Sequence, residues 1–267
     1  MERQGGHSSP FLLYCAMLKK ILNILATGWV WITLPLLTVL FTIPIVASAV
    51  ILSPFDSNRK CAHFFGKLWG RAVFKVNPQW HIRVSGQENI ERSQTYVIVS
   101  NHMSLADILS LYHLNAQFKW MAKESLFKVP FLGWSMTCMG YIPLKRGNYG
   151  SIRVTYEKAK EWLKKGISVV IFPEGTRSPS GTLNAFKNGA FKLALETQTP
   201  ILPVAIFGNE KLLPKGAMNV GMNVHSFIRA LPAIETQGLK SEDFPKLRDQ
   251  AHDMIRAEIE KISNAHL

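Results

Sequence analysis

The chain's 267 residues and 30.1 kDa suffice for one sizeable domain and exclude two large ones. With 31 Lys and Arg against 18 Asp and Glu, the formal charge of +13 points to anionic partners such as phosphate-bearing molecules, acidic proteins or anionic lipid. Three widely spaced cysteines, Cys15, Cys61 and Cys138, exclude a disulfide framework and any Cys-x-x-Cys metal or redox pair, and the eight histidines make no zinc-ligand spacing.

Residues 21–55 carry no charge, and residues 21–52 are almost continuously apolar. As one helix these 32 residues would reach about 48 Å, well past a hydrocarbon core of about 30 Å. Pro35 and Pro44 interrupt the run, and a break at Pro35 leaves arms of 14 and 17 residues, each short of the roughly 20 that a span needs. The expectation is an apolar helical hairpin seated in one leaflet. A single tilted span over residues 32–52 with Trp29 and Trp31 at the interface stays open, as does a signal sequence ending at Ala47-Ser48-Ala49. Lys19 and Lys20 precede the block and Arg59, Lys60, Lys67 and Arg71 follow it. Basic flanks on both sides favour cytoplasmic ends, hence an inner (cytoplasmic) membrane location with the remaining chain facing the cytoplasm on an anionic membrane surface. Next, Cys61, Phe64, Phe65, Leu68, Trp69, Ala72 and Val73 recur at helical spacing while Lys60, Lys67 and Arg71 gather on another side. That amphipathic helix suits either a cover over the soluble core or a place among lipid headgroups.

Beyond residue 76 strand-like and helix-like segments alternate. Strands are expected at 80–84, 96–100, 118–122, 168–172 and 201–207, with helices at 105–115, 151–165 and 244–262. Such alternation predicts an α/β fold, a largely parallel mixed sheet flanked by helices. The chain accordingly divides into residues 1–76, a membrane-associated helical region, and residues 77–267, an α/β domain.

Ligands of such sheets collect where strands end and helices begin. The string Ser100-Asn101-His102-Met103-Ser104-Leu105-Ala106-Asp107 leaves one strand for a helix. Five helical residues turn through about 500°, so His102 and Asp107 meet only if His102 lies in the turn. One reading is a Ser-x-x-Asp capping box with Ser104 as N-cap; the other is a carboxylate that orients a general-base histidine. The string Phe172-Pro173-Glu174-Gly175-Thr176-Arg177-Ser178 follows another strand. There Gly175 permits a tight turn and Arg177 offers a fork for a phosphate monoester, while a plain turn with a surface Glu-Arg pair is the simpler alternative. Further cations stand at Lys187, in Phe186-Lys187-Asn188-Gly189, and at Lys145 and Arg146, after Gly140-Tyr141-Ile142-Pro143-Leu144.

In this order the blocks resemble those of the glycerolipid acyltransferase family typified by 1-acyl-sn-glycerol-3-phosphate acyltransferase. Residues 101–107 match its His-x4-Asp block, 140–146 its second, 172–178 its Glu-Gly-Thr-Arg block, and 201–205, with Pro203, its fourth. Lys123, in Ala122-Lys123-Glu124-Ser125-Leu126, and Lys187 also look like family positions. The likeness spans about residues 80–210. One departure is Lys145, where the family commonly has an acidic residue before the arginine.

The resemblance implies transfer of a fatty acyl group from acyl-CoA or acyl-carrier protein to the sn-2 hydroxyl of lysophosphatidic acid, giving phosphatidic acid. No metal, cofactor or covalent intermediate is implied. His102 would be the base and Asp107 its orienting carboxylate. Arg177, with Arg146 and Lys187, would hold the acceptor phosphate; Glu174 would orient those cations or the glycerol, and amides near Gly175 would hold the oxyanion. Glu174, Gly175, Thr176, Arg177, Arg146, Lys187 and Lys123 thus form the expected substrate set. Another lysolipid, such as a lyso-ornithine lipid or lysophospholipid, is the alternative acceptor. A non-catalytic basic membrane-binding module is the alternative of another class. Nucleic acid is not an expected partner, because the basic residues are dispersed and no recognition motif occurs.

Overall fold

The computed structural model describes residues 10–145, 147, 149–178, 182–214 and 216–266. Seven strands form its sheet: β1 (Trp80–Ser85), β2 (Val97–Ser100), β3 (Phe118–Lys123), β4 (Ile142–Leu144), β5 (Ser168–Ile171), β6 (Ile201–Phe207) and β7 (Val224–Ala230). Their order is β1-β7-β6-β2-β5-β3-β4, and every neighbouring pair is parallel except β6 with β7. The central strands β2 and β5 are buried on both faces, so they read as apolar runs and not as alternation.

Among the described residues eight α-helices surround the sheet: α1 (Pro10–Ile51), α2 (Lys60–Lys75), α3 (Ala106–Leu111), α4 (Leu132–Cys138), α5 (Tyr149–Lys164), α6 (Gly189–Thr197), α7 (Asn209–Leu212) and α8 (Phe244–His266). The period of two along β2 sends Ile98 to one face, where it meets Ile45 of α1, Ala62 of α2 and Tyr112. Val97 and Val99 point to the other, against Phe191 and Leu195 of α6 and Leu247 and Ile255 of α8. The two N-terminal helices therefore share a core with the sheet.

The apolar N-terminal segment departs from the expected shape. Pro35 and Pro44 lie inside one 42-residue helix, and the hairpin turn comes later, between Ile51 and Lys60, with α2 as the returning arm. A proline removes one amide donor, which a long helix tolerates when its neighbours hold it in place. Here Trp29 Nε1 donates to Val76 O at 2.8 Å near one end of α2, and Arg59 donates to Ala49 O near the other, so the pair runs antiparallel. Trp31 Nε1 is also bonded, to Met218 O at 2.8 Å. The buried residues of α1 among those described, Val30, Thr33, Thr42, Ile45 and Ala49, form a stripe at helical spacing. Within the α1 segment Tyr14–Ile51 an 18-residue window reaches a mean hydropathy of 2.3, and the segment is long and apolar enough to cross a membrane.

The face of α2 toward the core is narrower than its apolar residues suggest: Ala62, His63, Gly66, Gly70, Val73 and Phe74 are buried, while Phe64 is exposed. Strands β4 and β7 and helices α4 and α6 were not anticipated, and the helix expected at 105–115 stops at Leu111.

Candidate active site

Three neighbouring strands, β5, β2 and β6, end at one edge, and the chain leaving each supplies part of a polar cluster. His102 follows β2 outside α3, in the turn that its spacing from Asp107 requires. Its Nδ1 lies 2.8 Å from Asp107 Oδ2. The same oxygen accepts the backbone N–H groups of Met103 at 2.7 Å and Ser104 at 2.8 Å. Asp107 Oδ1 accepts Asn209 Nδ2 at 2.8 Å, and Asp107 is fully buried. Ser104 Oγ accepts the Ala106 N–H at 3.1 Å and not that of Asp107, and the N-cap of the helix is Leu105, so only the Ser104 N–H to Asp107 half of the expected capping box is present.

Every group around Asp107 is a donor, which fixes Nδ1 of His102 as an N–H nitrogen; in the neutral imidazole the lone pair is then on Nε2. The imidazole is held flat against Phe172, ring centroids 4.0 Å apart and planes 12° off parallel, and Phe172 stacks in turn on Trp120. His102 is 9% exposed, enough to meet a ligand at one edge.

The turn after β5 closes over the same histidine. Glu174 Oε1 accepts the His102 backbone N–H at 2.6 Å, and Ser178 N–H donates to His102 O at 2.8 Å. Glu174 Oε2 accepts the N–H of Asn184 at 3.1 Å and its Nδ2 at 2.8 Å. Burial pushes the Glu174 carboxyl above the ordinary glutamate range, opposed by those amide donors. With both oxygens engaged by the protein, Glu174 braces two loops together.

Gly175 has φ +73°, a conformation that disfavours side chains, and a Cβ there would lie 2.7 Å from Lys187 Nζ. Lys187 thus lies against the turn, anchored by its backbone N–H on Pro173 O at 2.9 Å. The N–H of Gly175 is itself taken by Phe172 O at 3.1 Å, which removes it as an oxyanion donor. Thr176 is exposed and Arg177 half-buried, next to the residue that bonds His102. Lys123 ends β3, exposed, at the same edge but two strands from β2. Arg146 lies outside the described residues.

Sequence reasoning missed three asparagines. Asn101 bonds β6 twice, Nδ2 to Ile206 O and Oδ1 from the Ile206 N–H, each at 2.8 Å, and so ties the His102 turn to the neighbouring strand. Asn209 is fully buried; besides Asp107 it donates to Ser110 Oγ at 2.9 Å and accepts the Ser226 hydroxyl at 2.5 Å. Asn184 holds Glu174. The position of Asn209 directly after a strand, behind Gly208, was the available signal.

Residues 81–207 match the family model described as Acyltransferase. A chloroplastic 1-acyl-sn-glycerol-3-phosphate acyltransferase of Arabidopsis thaliana is 37% identical over 206 residues, 77% of this chain and 57% of its own length. The 1-acyl-sn-glycerol-3-phosphate acyltransferase of Borreliella burgdorferi is 33% identical over 183 residues, 68% of this chain and 72% of its own. The chain spans only 57% to 59% of the length of its plant and algal relatives. The crystal structure of the 1-acyl-sn-glycerophosphate (LPA) acyltransferase of Thermotoga maritima aligns with a TM-score of 0.79 at 28% identity, covering 91% of this chain and 97% of that one.

Proposed function

The chain belongs to the acyltransferase family, and from that premise we propose that it moves a fatty acyl group from a thioester to the sn-2 hydroxyl of 1-acyl-sn-glycerol 3-phosphate, giving phosphatidic acid. One observation carries the reading: the His102–Asp107 pair and the turn bearing Arg177 meet at one sheet edge, joined through the Ser178 to His102 hydrogen bond. The turn that carries Arg177 therefore lies against the His102 loop, and this supports a reading in which a base for the hydroxyl and a cation for the phosphate serve one small lipid.

In the proposed reaction Nε2 of His102 takes the hydroxyl proton as the oxygen attacks the thioester carbonyl, a role worth about 10² to 10⁴ in rate. The tetrahedral intermediate expels the thiolate, which receives that proton from the imidazolium. Asp107 holds Nδ1–H throughout and stabilises the transient cation. The thioester is already activated, so no protein nucleophile is required. Arg177, Arg146 and Lys187 bind the acceptor phosphate, with Lys123 and Thr176 at the margin of the site. Glu174 acts on the reaction through the His102 loop. The donor is acyl-CoA or acyl-carrier protein. α1 lies in lipid, and the basic residues beside it favour a cytoplasmic face of the inner membrane.

The test is an assay of the full chain in vesicles with lysophosphatidic acid, lysophosphatidylcholine and lyso-ornithine lipid, each with acyl-CoA and acyl-carrier protein, read by product mass. The reading predicts phosphatidic acid as the dominant product. Preferred acylation of an acceptor without a phosphate monoester, or thioester hydrolysis alone, contradicts it.

A further inference from the structure

The segment leaving β3 at the active-site edge carries a cluster of exposed apolar side chains that catalysis does not use. In Val129-Pro130-Phe131-Leu132-Gly133-Trp134, Val129 is 44% exposed, Phe131 37% and Trp134 55%. Soluble surfaces rarely gather such groups without a partner. Phe131 stands at φ 62°, ψ −55°, the centre of a γ-turn closed by Leu132 N–H on Pro130 O at 2.7 Å. That conformation, unfavourable for a phenylalanine, turns its ring outward beside Trp134, with centroids 4.9 Å apart.

This cluster is continuous with the apolar surface of α1. Thr42 of α1 shares a 2.8 Å hydrogen bond with Ser135 Oγ and donates to Phe131 O at 3.2 Å. Beside Thr42 on α1, Val39 and Ile43 are exposed. Lys123 and Lys128, both exposed, flank the segment on its N-terminal side together with Glu124. Apolar tips with a tryptophan and neighbouring lysines suit a bilayer interface, where rings enter the acyl boundary and ammonium groups meet lipid phosphate.

We propose that Val129, Phe131 and Trp134 form a second membrane contact, which together with α1 seats the active-site edge of the sheet on the lipid surface so that lysolipid reaches His102 from the bilayer. The contact rests on exposure and continuity with α1; its consequence for substrate delivery rests on the lysolipid reading above.

Two measurements on the full chain test it. In a background with Cys15, Cys61 and Cys138 replaced by Ser, Trp134→Cys and, as a control on the exposed side of α8, Arg256→Cys are each labelled with an environment-sensitive fluorophore. Vesicles of phosphatidylcholine and phosphatidylglycerol with brominated acyl chains should quench the label at 134 and leave the one at 256 unaffected. Equal quenching, or none at 134, overturns the contact, and a change at 134 that follows protein concentration without lipid replaces the bilayer with a second copy. The double variant Val129→Ser, Trp134→Ser should then slow turnover of vesicle-borne lysophosphatidic acid by about tenfold or more while sparing a short-chain, monomeric acceptor. Equal loss on both, or no loss on vesicles, overturns the delivery role. A wild-type chain that acylates neither acceptor refutes the activity, and the label at 134 still decides the contact.

Discussion

Asp107 collects hydrogen bonds from four residues, and only one of them is the imidazole it orients. The His102–Asp107 pair was legible in sequence because five-residue spacing at a strand end permits contact only when the first residue lies in the turn. What stayed hidden is what holds the carboxylate. Asn209 stands 102 residues away, a lone polar residue after a strand, and no periodicity marks it. Asn209→Ala removes the donor to Asp107 Oδ1 and leaves the Ser226 hydroxyl with Ser110 Oγ at 3.3 Å, which should cost about 1 to 3 kcal/mol, read from the denaturation midpoint. On the proposed reaction the asparagine, buried and bonded to Asp107, would act through the dyad, so kcat should fall while the acceptor KM stays near wild type. The hydrogen bonds of Glu174 were likewise unreadable: nothing in a Glu-Gly-Thr-Arg string points to the His102 N–H and Asn184 as its donors.

At the scale of elements, strands were read well wherever apolar β-branched residues clustered, as in β5 and β6. They were missed at β4, three residues interrupted by Pro143, and at β7, where His225 and Arg229 break the pattern. The N-terminal hairpin was expected at a proline and occurs at a turn, because packing against α2 decides where a long apolar helix ends. The packing of α2 on the core beneath it depends on small residues. A Cβ at Gly70 would lie 2.8 Å from Tyr112 Cδ2 and 2.9 Å from its Cβ, and Tyr112 is itself fully packed. Gly70→Ala should therefore destabilise by about 1 to 3 kcal/mol through overpacking. Gly28, in α1, has nothing within 4 Å, so Gly28→Ala should be neutral or stabilise by up to about 1 kcal/mol through helix propensity. Thermal unfolding of the two variants in the same lipid or detergent checks the contrast.

For the whole molecule, the parallel sheet brings the ends of β2, β5 and β6 to one edge, and this explains why blocks some 70 residues apart in sequence, around His102 and Glu174, form one site. Elsewhere in the fold the cost of burying charge is visible at Lys119. Its Nζ donates to Asn58 O at 2.9 Å and Met139 O at 2.7 Å, and burial drives its pKa down to about 7. A lysine unfolded titrates near 10.4, so between about pH 7 and pH 10 the unfolded chain keeps a proton that the folded chain has released. Stability from this group rises with pH across that window. Lys119→Met removes the effect, so the stability of wild type relative to this variant should be greater at pH 9 than at pH 7 by urea denaturation.

The central claim is that an imidazole at the end of β2 removes the proton of a lysolipid hydroxyl. The most direct measurement is single-turnover acylation of lysophosphatidic acid by wild type and His102→Ala in identical vesicles, with circular dichroism confirming that both are folded. A rate loss of at least about 10² in the folded variant is the predicted result; turnover within a few-fold of wild type would contradict it.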